Sequence, residues 1–203
     1  MIRLLVLFVI VSCSHHELQL DGKATDAKFV RKKKHKEIKG PENALRNVSG
    51  ATLLITFRQT GKQDTPQDML SLSVGSEKTT YASRTSIRID RDGYLTGIAR
   101  SLDTEDAQNV RAKEKVDTGD FHKAALVVDY GQDSMRLYLD GRPLETEGKV
   151  DFKSDKTSDT PSHTITMGAE ENGKEFFFEG ELQAPKIWSR ALTSEEILMN
   201  SQD

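Results

Sequence analysis

Apolar residues recur at every second position through most of this chain, the period of a strand with one buried and one solvated face. From Ala51 to Arg58 the residues Leu53, Ile55 and Phe57 share a face, and from Met69 to Gly75 the residues Leu70, Leu72 and Val74 do so with serines opposite. Both segments are expected to be half-buried strands of antiparallel sheets. Ile87 and Ile89 lead into Asp90-Arg91-Asp92-Gly93, and Tyr94-Leu95-Thr96-Gly97-Ile98 follows. An Asp-Gly step between alternating runs predicts a hairpin, because glycine accepts the positive φ that tight turns demand. Asp140-Gly141 repeats the signal after Ser134 to Leu139. One helix is predicted, at the end of the chain. Thr193-Ser194-Glu195-Glu196 has the capping-box spacing, in which the threonine hydroxyl and the glutamate each satisfy an amide of the first turn. Ile197 and Leu198 are expected to pack that helix against a sheet.

The first residues obey a different pattern. Met1-Ile2-Arg3 is followed by an unbroken apolar run from Leu4 to Val11. That run is too short to span a bilayer but adequate as the core of an export signal. Ile10-Val11-Ser12-Cys13 resembles a bacterial lipobox, which implies that residues 1–12 are a lipoprotein signal peptide and that Cys13 becomes an acylated N-terminus. Cys13 is also the one cysteine of the chain, so no internal disulfide competes for it. Ser14, rather than Asp, follows it, which resembles default sorting to the outer membrane. Residues 13–16 would then be a short acylated tether and residues 17–203 a single domain. If its first strand begins near Leu18, about five extended residues reach about 17 Å, and the domain is held close to the lipid surface.

Several motifs of that domain resemble the laminin G-like jelly rolls of the concanavalin A-like lectin/glucanase superfamily. Leu18-Gln19-Leu20-Asp21-Gly22 resembles the family's opening strand and turn. Gly119-Asp120-Phe121-His122 resembles the entry to a central strand, with Phe121 in place of the usual tryptophan and expected to keep an aromatic in the core. Met135-Arg136-Leu137-Tyr138-Leu139-Asp140-Gly141 resembles the strand and turn after it. Near the C-terminus an aromatic-rich strand through Phe176, Phe177 and Phe178, then Gly180, then a strand carrying Ile187 and Trp188, complete the signature. The resemblance implies an all-β, antiparallel jelly-roll β-sandwich of concanavalin A-like type with a short C-terminal helix.

The chemistry of the family's glucanases is not evident. Those enzymes carry three acids at alternate positions of one strand, so that nucleophile and general acid face one cleft. Here only the pairs Glu145/Glu147 and Glu179/Glu181 come near, and Phe177 stands where the latter would need its third acid. No Ser elbow or His-Glu-x-x-His motif occurs, and His35, His122 and His163 have no shared ligand spacing. Many relatives bind a structural calcium, but Gln183 stands where an aspartate often contributes, which weakens the case for a hard-cation site. Asp103, Glu105 and Asp106 form an acidic loop that could serve a cation instead, but such loops are mostly solvated surface, and that is the reading taken. No catalytic residue, metal or cofactor is therefore assigned. For a sugar ligand, which the resemblance suggests, Tyr81 and Tyr94 are the candidate aromatic platforms outside the structural motifs.

Charge adds one feature. The 203-residue chain has a net charge of −3, which by itself names no partner. Its basic residues are concentrated early, however, in Lys32-Lys33-Lys34-His35-Lys36. Lysines there can blunt a sheet edge or meet anionic headgroups or phosphates, worth up to ~1 kcal/mol each near a membrane surface. An acidic remainder on an exported chain argues against nucleic acid as a partner. The sequence as a whole points to a lipid-anchored extracytoplasmic binding or adhesion module of the bacterial envelope, non-catalytic, recognising a glycan or envelope component. A structural envelope protein that binds another protein and a degenerate glycoside hydrolase are the alternatives. Cys13→Ser is expected to abolish fatty-acid labelling and to release the protein from the membrane fraction or leave it unprocessed; equal labelling of both proteins would contradict the lipobox reading.

Overall fold

The computed structural model describes residues 27–29, 36–38, 45–61, 64–74, 83–102, 105–116, 119–160, 163–170 and 173–202. The signal run, Cys13, the Leu18–Gly22 motif, Lys32 to Lys34 and Tyr81 lie outside them. In chain order the strands are β1 (Ala27–Phe29), β2 (Lys36–Ile38), β3 (Gly50–Gln59), β4 (Gln67–Val74), β5 (Ser83–Ile89), β6 (Tyr94–Arg100), β7 (Gln108–Lys115), β8 (His122–Asp129), β9 (Ser134–Leu139), β10 (Arg142–Pro143), β11 (Thr146–Glu147), β12 (His163–Met167) and β13 (Gly180–Trp188). The helix α1 covers Ser194–Gln202. Two antiparallel sheets form, one ordered β1-β13-β3-β8-β9-β10 and the other β11-β7-β6-β5-β4-β12-β2. They stack as a jelly-roll sandwich.

The alternation read from the sequence sets the core. Leu53, Ile55 and Phe57 of β3 meet Leu70, Leu72, Ile87, Ile89 and Leu95 of the facing sheet, all buried. The opposite face of the six-stranded sheet is buried too, in a smaller cluster of Leu54, Ala125, Val127, Tyr138, Trp188, Leu192 and Ile197 beneath α1. The helix therefore makes the outer face of one sheet unavailable to a ligand over much of its area, and leaves the outer face of the other sheet uncovered by it.

Both Asp-Gly turns form. Asp140 and Gly141 have φ of 51° and 79°, the pair of positive values that a two-residue type I′ hairpin needs, and they join β9 to β10. Around Gly93, at φ 92°, the Asp90 side chain closes the turn by accepting bonds from the amides of Asp92 at 2.9 Å and Tyr94 at 3.0 Å.

Four expectations need correction. Phe121 is 43% exposed, because His122 is the partner of Phe57 in the register of β3 with β8 and lies against the Phe57 ring. Its neighbour Phe121 must then face the other way, where Arg58 stacks over it at 4.6 Å. Phe176, Phe177 and Phe178 belong to an irregular segment before β13, with Phe176 at φ 52°, a value incompatible with a strand. Leu198 is 46% exposed and Met199 64%; Ile197 alone points into the cluster beneath the helix. Glu105 is buried, not solvated. Its Oε1 accepts bonds from the Ser101 amide and hydroxyl and the Leu102 amide, and its Oε2 from the Lys153 amide at 2.7 Å. One carboxylate thus joins two loops that would otherwise leave amides unpaired.

The capping box is complete. The Glu196 amide donates to Thr193 Oγ1 at 3.2 Å and the Thr193 amide to Glu196 Oε2 at 2.9 Å, while Arg190 adds a two-pronged ion pair. The Arg190 hydrogen bonds, more than the Thr193 amide, hold the Glu196 carboxyl down at about 2 from an ordinary 4.5. A depressed carboxyl stabilises the fold above its unfolded pKa and loses that contribution as pH falls. Glu196→Gln is therefore expected to lower the melting temperature near neutral pH, with the gap from wild type closing between pH 4.5 and 2; a gap independent of pH would contradict this.

Candidate functional site

Strand register decides what the outer face of the seven-stranded sheet presents. Alternation sends Ile87, Ile89 and Leu95 into the core, and so sends Arg84, Ser86, Arg88, Thr96, Ile98 and Arg100 outward. Three rows result across neighbouring strands, about 4.8 Å apart. Asp68 pairs with Arg88, Arg88 with Thr96, Thr96 with Arg111, and Arg111 with Glu147. The next row is Ser71, Ser86, Ile98 and Asn109, and the third Ser73, Arg84 and Arg100.

These rows floor a groove of about 360 Å³, lined among others by Arg84, Arg88, Asp90, Thr96, Ile98 and Arg111. Its lining mixes guanidinium groups, a hydroxyl, a carboxylate and the Asn109 amide with three apolar contacts, Pro66, Ile98 and Ala107. The serines of β4, expected to face water, are instead buried. Long arginines from β5 lie over this part of the face, and Ser71 donates to Asp68 Oδ2 at 3.1 Å.

Asp68 is the anchor of the arrangement. Its side chain has no exposed surface, and Arg88 grips it through Nε at 2.6 Å and Nη2 at 3.0 Å. Arg84 Nη2 lies 3.6 Å from the same carboxylate. Burial raises the Asp68 carboxyl above its ordinary value, outweighing the opposing pull of Arg88, Arg84 and Ser71. Phe176 covers Arg88 from outside at 5.0 Å, and its carbonyl accepts the Asp68 amide at 2.8 Å. The left-handed Phe176 backbone is thus tied to the same cluster.

Across the groove Arg111 is fixed by Asp90, whose Oδ2 accepts from Nε at 2.6 Å. Burial pulls the Asp90 carboxyl up, but the bonds from Arg111 and from the Tyr94 and Asp92 amides together leave it below its ordinary range. Arg111 lies over the Tyr94 ring at 3.6 Å, and Lys115 approaches that ring at 5.3 Å.

Of the residues nominated from the sequence, Tyr94 stands beside the groove rather than in its lining, with the Arg111 guanidinium on its ring. Tyr81, Cys13, Lys32, Lys33 and Lys34 lie outside the described residues, and Lys36 has its backbone in the edge strand β2, opposite Met167. Gln183 sits in β13 opposite Thr56, just before a bulge. Glu145 and Glu147 pair with Lys113 and Arg111, and Glu181 with Arg58. Among the described residues no three His, Cys, Asp or Glu side chains gather as a metal-holding group. Sequence reasoning missed Arg84, Arg88, Thr96 and Arg111. The available signal was the pair Arg84 and Arg88 on the face of β5 opposite Ile87 and Ile89.

The family model Laminin_G_3, described as the concanavalin A-like lectin/glucanases superfamily, matches residues 36–198. No curated protein matches the chain. Among solved structures, the Ruminococcus gnavus IT-sialidase CBM40 bound to alpha2,3 sialyllactose is similar at a TM-score of 0.60 and 18% identity, over 76% of this chain and 84% of that one. The SAP-like pentraxin of Limulus polyphemus, a native heptamer, is similar at 0.56 and 16%, over 91% and 81%. The binding domain of Botulinum neurotoxin serotype D is similar at 0.61 and 15%, over 87% of this chain and 42% of that one. At these identities the likeness shows a shared fold.

Removing one partner of a buried ion pair costs on the order of 3–5 kcal/mol, because the other charge stays buried. Asp68→Ala is expected to lower the urea midpoint by an equivalent amount with the transition slope unchanged. A loss under about 1 kcal/mol would mean that Arg84 and Arg88 simply turn to water.

Proposed function

Because this chain belongs to the concanavalin A-like lectin/glucanases superfamily, we propose that it is a lectin-like, non-catalytic module that binds a glycan in the groove over β5, β6 and β7. The observation that carries this reading is the groove itself, lined by arginines, Thr96 and Asn109 together with apolar contacts, on the one sheet face that α1 leaves uncovered. A sugar presents hydroxyls in a plane, and a rigid strand floor with a hydroxyl at Thr96 and an amide at Asn109 offers bonding partners to them. The similarity to a carbohydrate-binding module whose structure holds sialyllactose supports the same choice of ligand class by analogy of fold.

In this reading the module is a bacterial envelope protein, acylated at Cys13 and sorted to the outer membrane. Lys32, Lys33, Lys34 and Lys36 contact anionic headgroups or phosphates beside the anchor, and the run ends in the edge strand β2. A second reading, capture of an envelope protein, draws on the exposed Phe121, Leu198 and Met199, which lie away from the groove floor. A glycan array probed with the purified chain separates the two. The glycan reading expects retention of a defined subset of sugars, and Asn109→Ala to weaken it about fivefold, the worth of one hydrogen bond of ~1 kcal/mol. An array with no retained sugar, or binding indifferent to Asn109, would remove the groove as a glycan site.

A further inference from the structure

The row that crosses the groove has a charge order with a chemical meaning. Read over five strands it runs Asp68, Arg88, Thr96, Arg111, Glu147, with acids at the two outer positions and cations flanking a central hydroxyl. Neighbouring strands are about 4.8 Å apart, so the backbones of Arg88 and Arg111 stand roughly 10 Å apart with Thr96 between them. That span suits a single carboxylate or sulfate, which would bond Arg88 through Nη1, the nitrogen Asp68 does not engage, and would draw Arg111 Nη1 and Nη2 from Glu147 and Asp92, whose contacts at 3.4 and 3.5 Å are long.

Both arginines are held in place before any ligand arrives. Asp68 fixes Arg88 through Nε and Nη2, and Asp90 fixes Arg111 through Nε. Phe176 and Tyr94 stack on their respective guanidiniums. Arg84, drawn to the same buried carboxylate, adds a third cation to the lining. Side chains fixed in this way give up little conformational freedom on binding, which is where long arginines ordinarily lose affinity.

We propose that the groove selects an anionic saccharide, with its carboxylate or sulfate over Thr96 between Arg88 and Arg111. The inference rests on the glycan-binding reading of the groove and specifies its ligand. Asp68, whose side chain has no exposed surface, acts as a positioning residue for Arg88, and Asp90 orients Arg111 from within the groove lining.

The test is an array on which each oligosaccharide is present as the neutral parent, a sialylated form and a sulfated form, probed with the full chain at several salt concentrations. The acidic members are expected to bind about tenfold or more tightly than their parents, the range of a charge-assisted hydrogen bond, and the ratio should shrink as salt rises. The sialylated and sulfated arms decide which anion is taken. Arg111→Gln, at a side chain 31% exposed, should bring the acidic members down toward their parents with the melting temperature nearly unchanged, and Arg111→Lys should restore part of the preference. Thr96→Val should act in the same direction. Equal binding of neutral and acidic members would overturn the anion assignment while leaving a glycan site in place. A preference untouched by both Arg111→Gln and Thr96→Val would remove it from this row, and retention of no glycan at all would overturn the glycan reading together with it.

Discussion

A carboxylate cannot be stripped of water without replacement partners, and in this fold Asp68 is stripped completely. The cost of burying an unpaired charge runs to several kcal/mol; two arginines of the next strand and the Ser71 hydroxyl offset it. That requirement fixes Arg88 flat on the sheet, where Phe176 can stack on it, and so organises one side of the groove. The other side follows the same logic more weakly, with Asp90 both closing the β5–β6 turn and holding Arg111 against Tyr94. A sheet face that could have been merely soluble is instead an array of arginines held at defined spacing by carboxylates.

The division of labour between the two sheets follows from the end of the chain. Arg190 and the Thr193–Glu196 box start α1 at a fixed point, and Ile197 drops into a pocket with Trp188 and Tyr138. The outer face of the six-stranded sheet thereby becomes a second small core. Among the described residues no helix covers the seven-stranded sheet; the serines of its outer face are buried, and the groove lies over β5, β6 and β7.

Much of this architecture was legible in the sequence because local rules agree with the global fold. The strand at Ala51 to Arg58, the two Asp-Gly turns and the capping box each stand where period, turn chemistry and cap spacing indicated. Errors arose where neighbours decided. Phe121 faces outward because the pairing of His122 with Phe57 sets its parity, and Phe176 left the strand pattern because its carbonyl is committed to Asp68. Glu105 looked like one more surface acid, and only the fold brings four donors to it. The groove was less legible still. An arginine at every fourth residue of β5 reads as solvated charge until register sets Asp68 beside Arg88 and Thr96 beside both Arg88 and Arg111. Such a constellation spans residues 68 to 147 and leaves no motif in any single segment.

The groove is proposed to be the ligand site to the exclusion of the other surfaces. Hydrogen exchange measured on the full chain with and without a saturating acidic oligosaccharide such as 3′-sialyllactose tests it directly. Slowed exchange is expected to be confined to peptides covering Ser83 to Lys115 and the Gly173 to Glu179 segment beside Arg88. Protection centred instead on Phe121, Leu198 and Met199, or no protection anywhere, would contradict it.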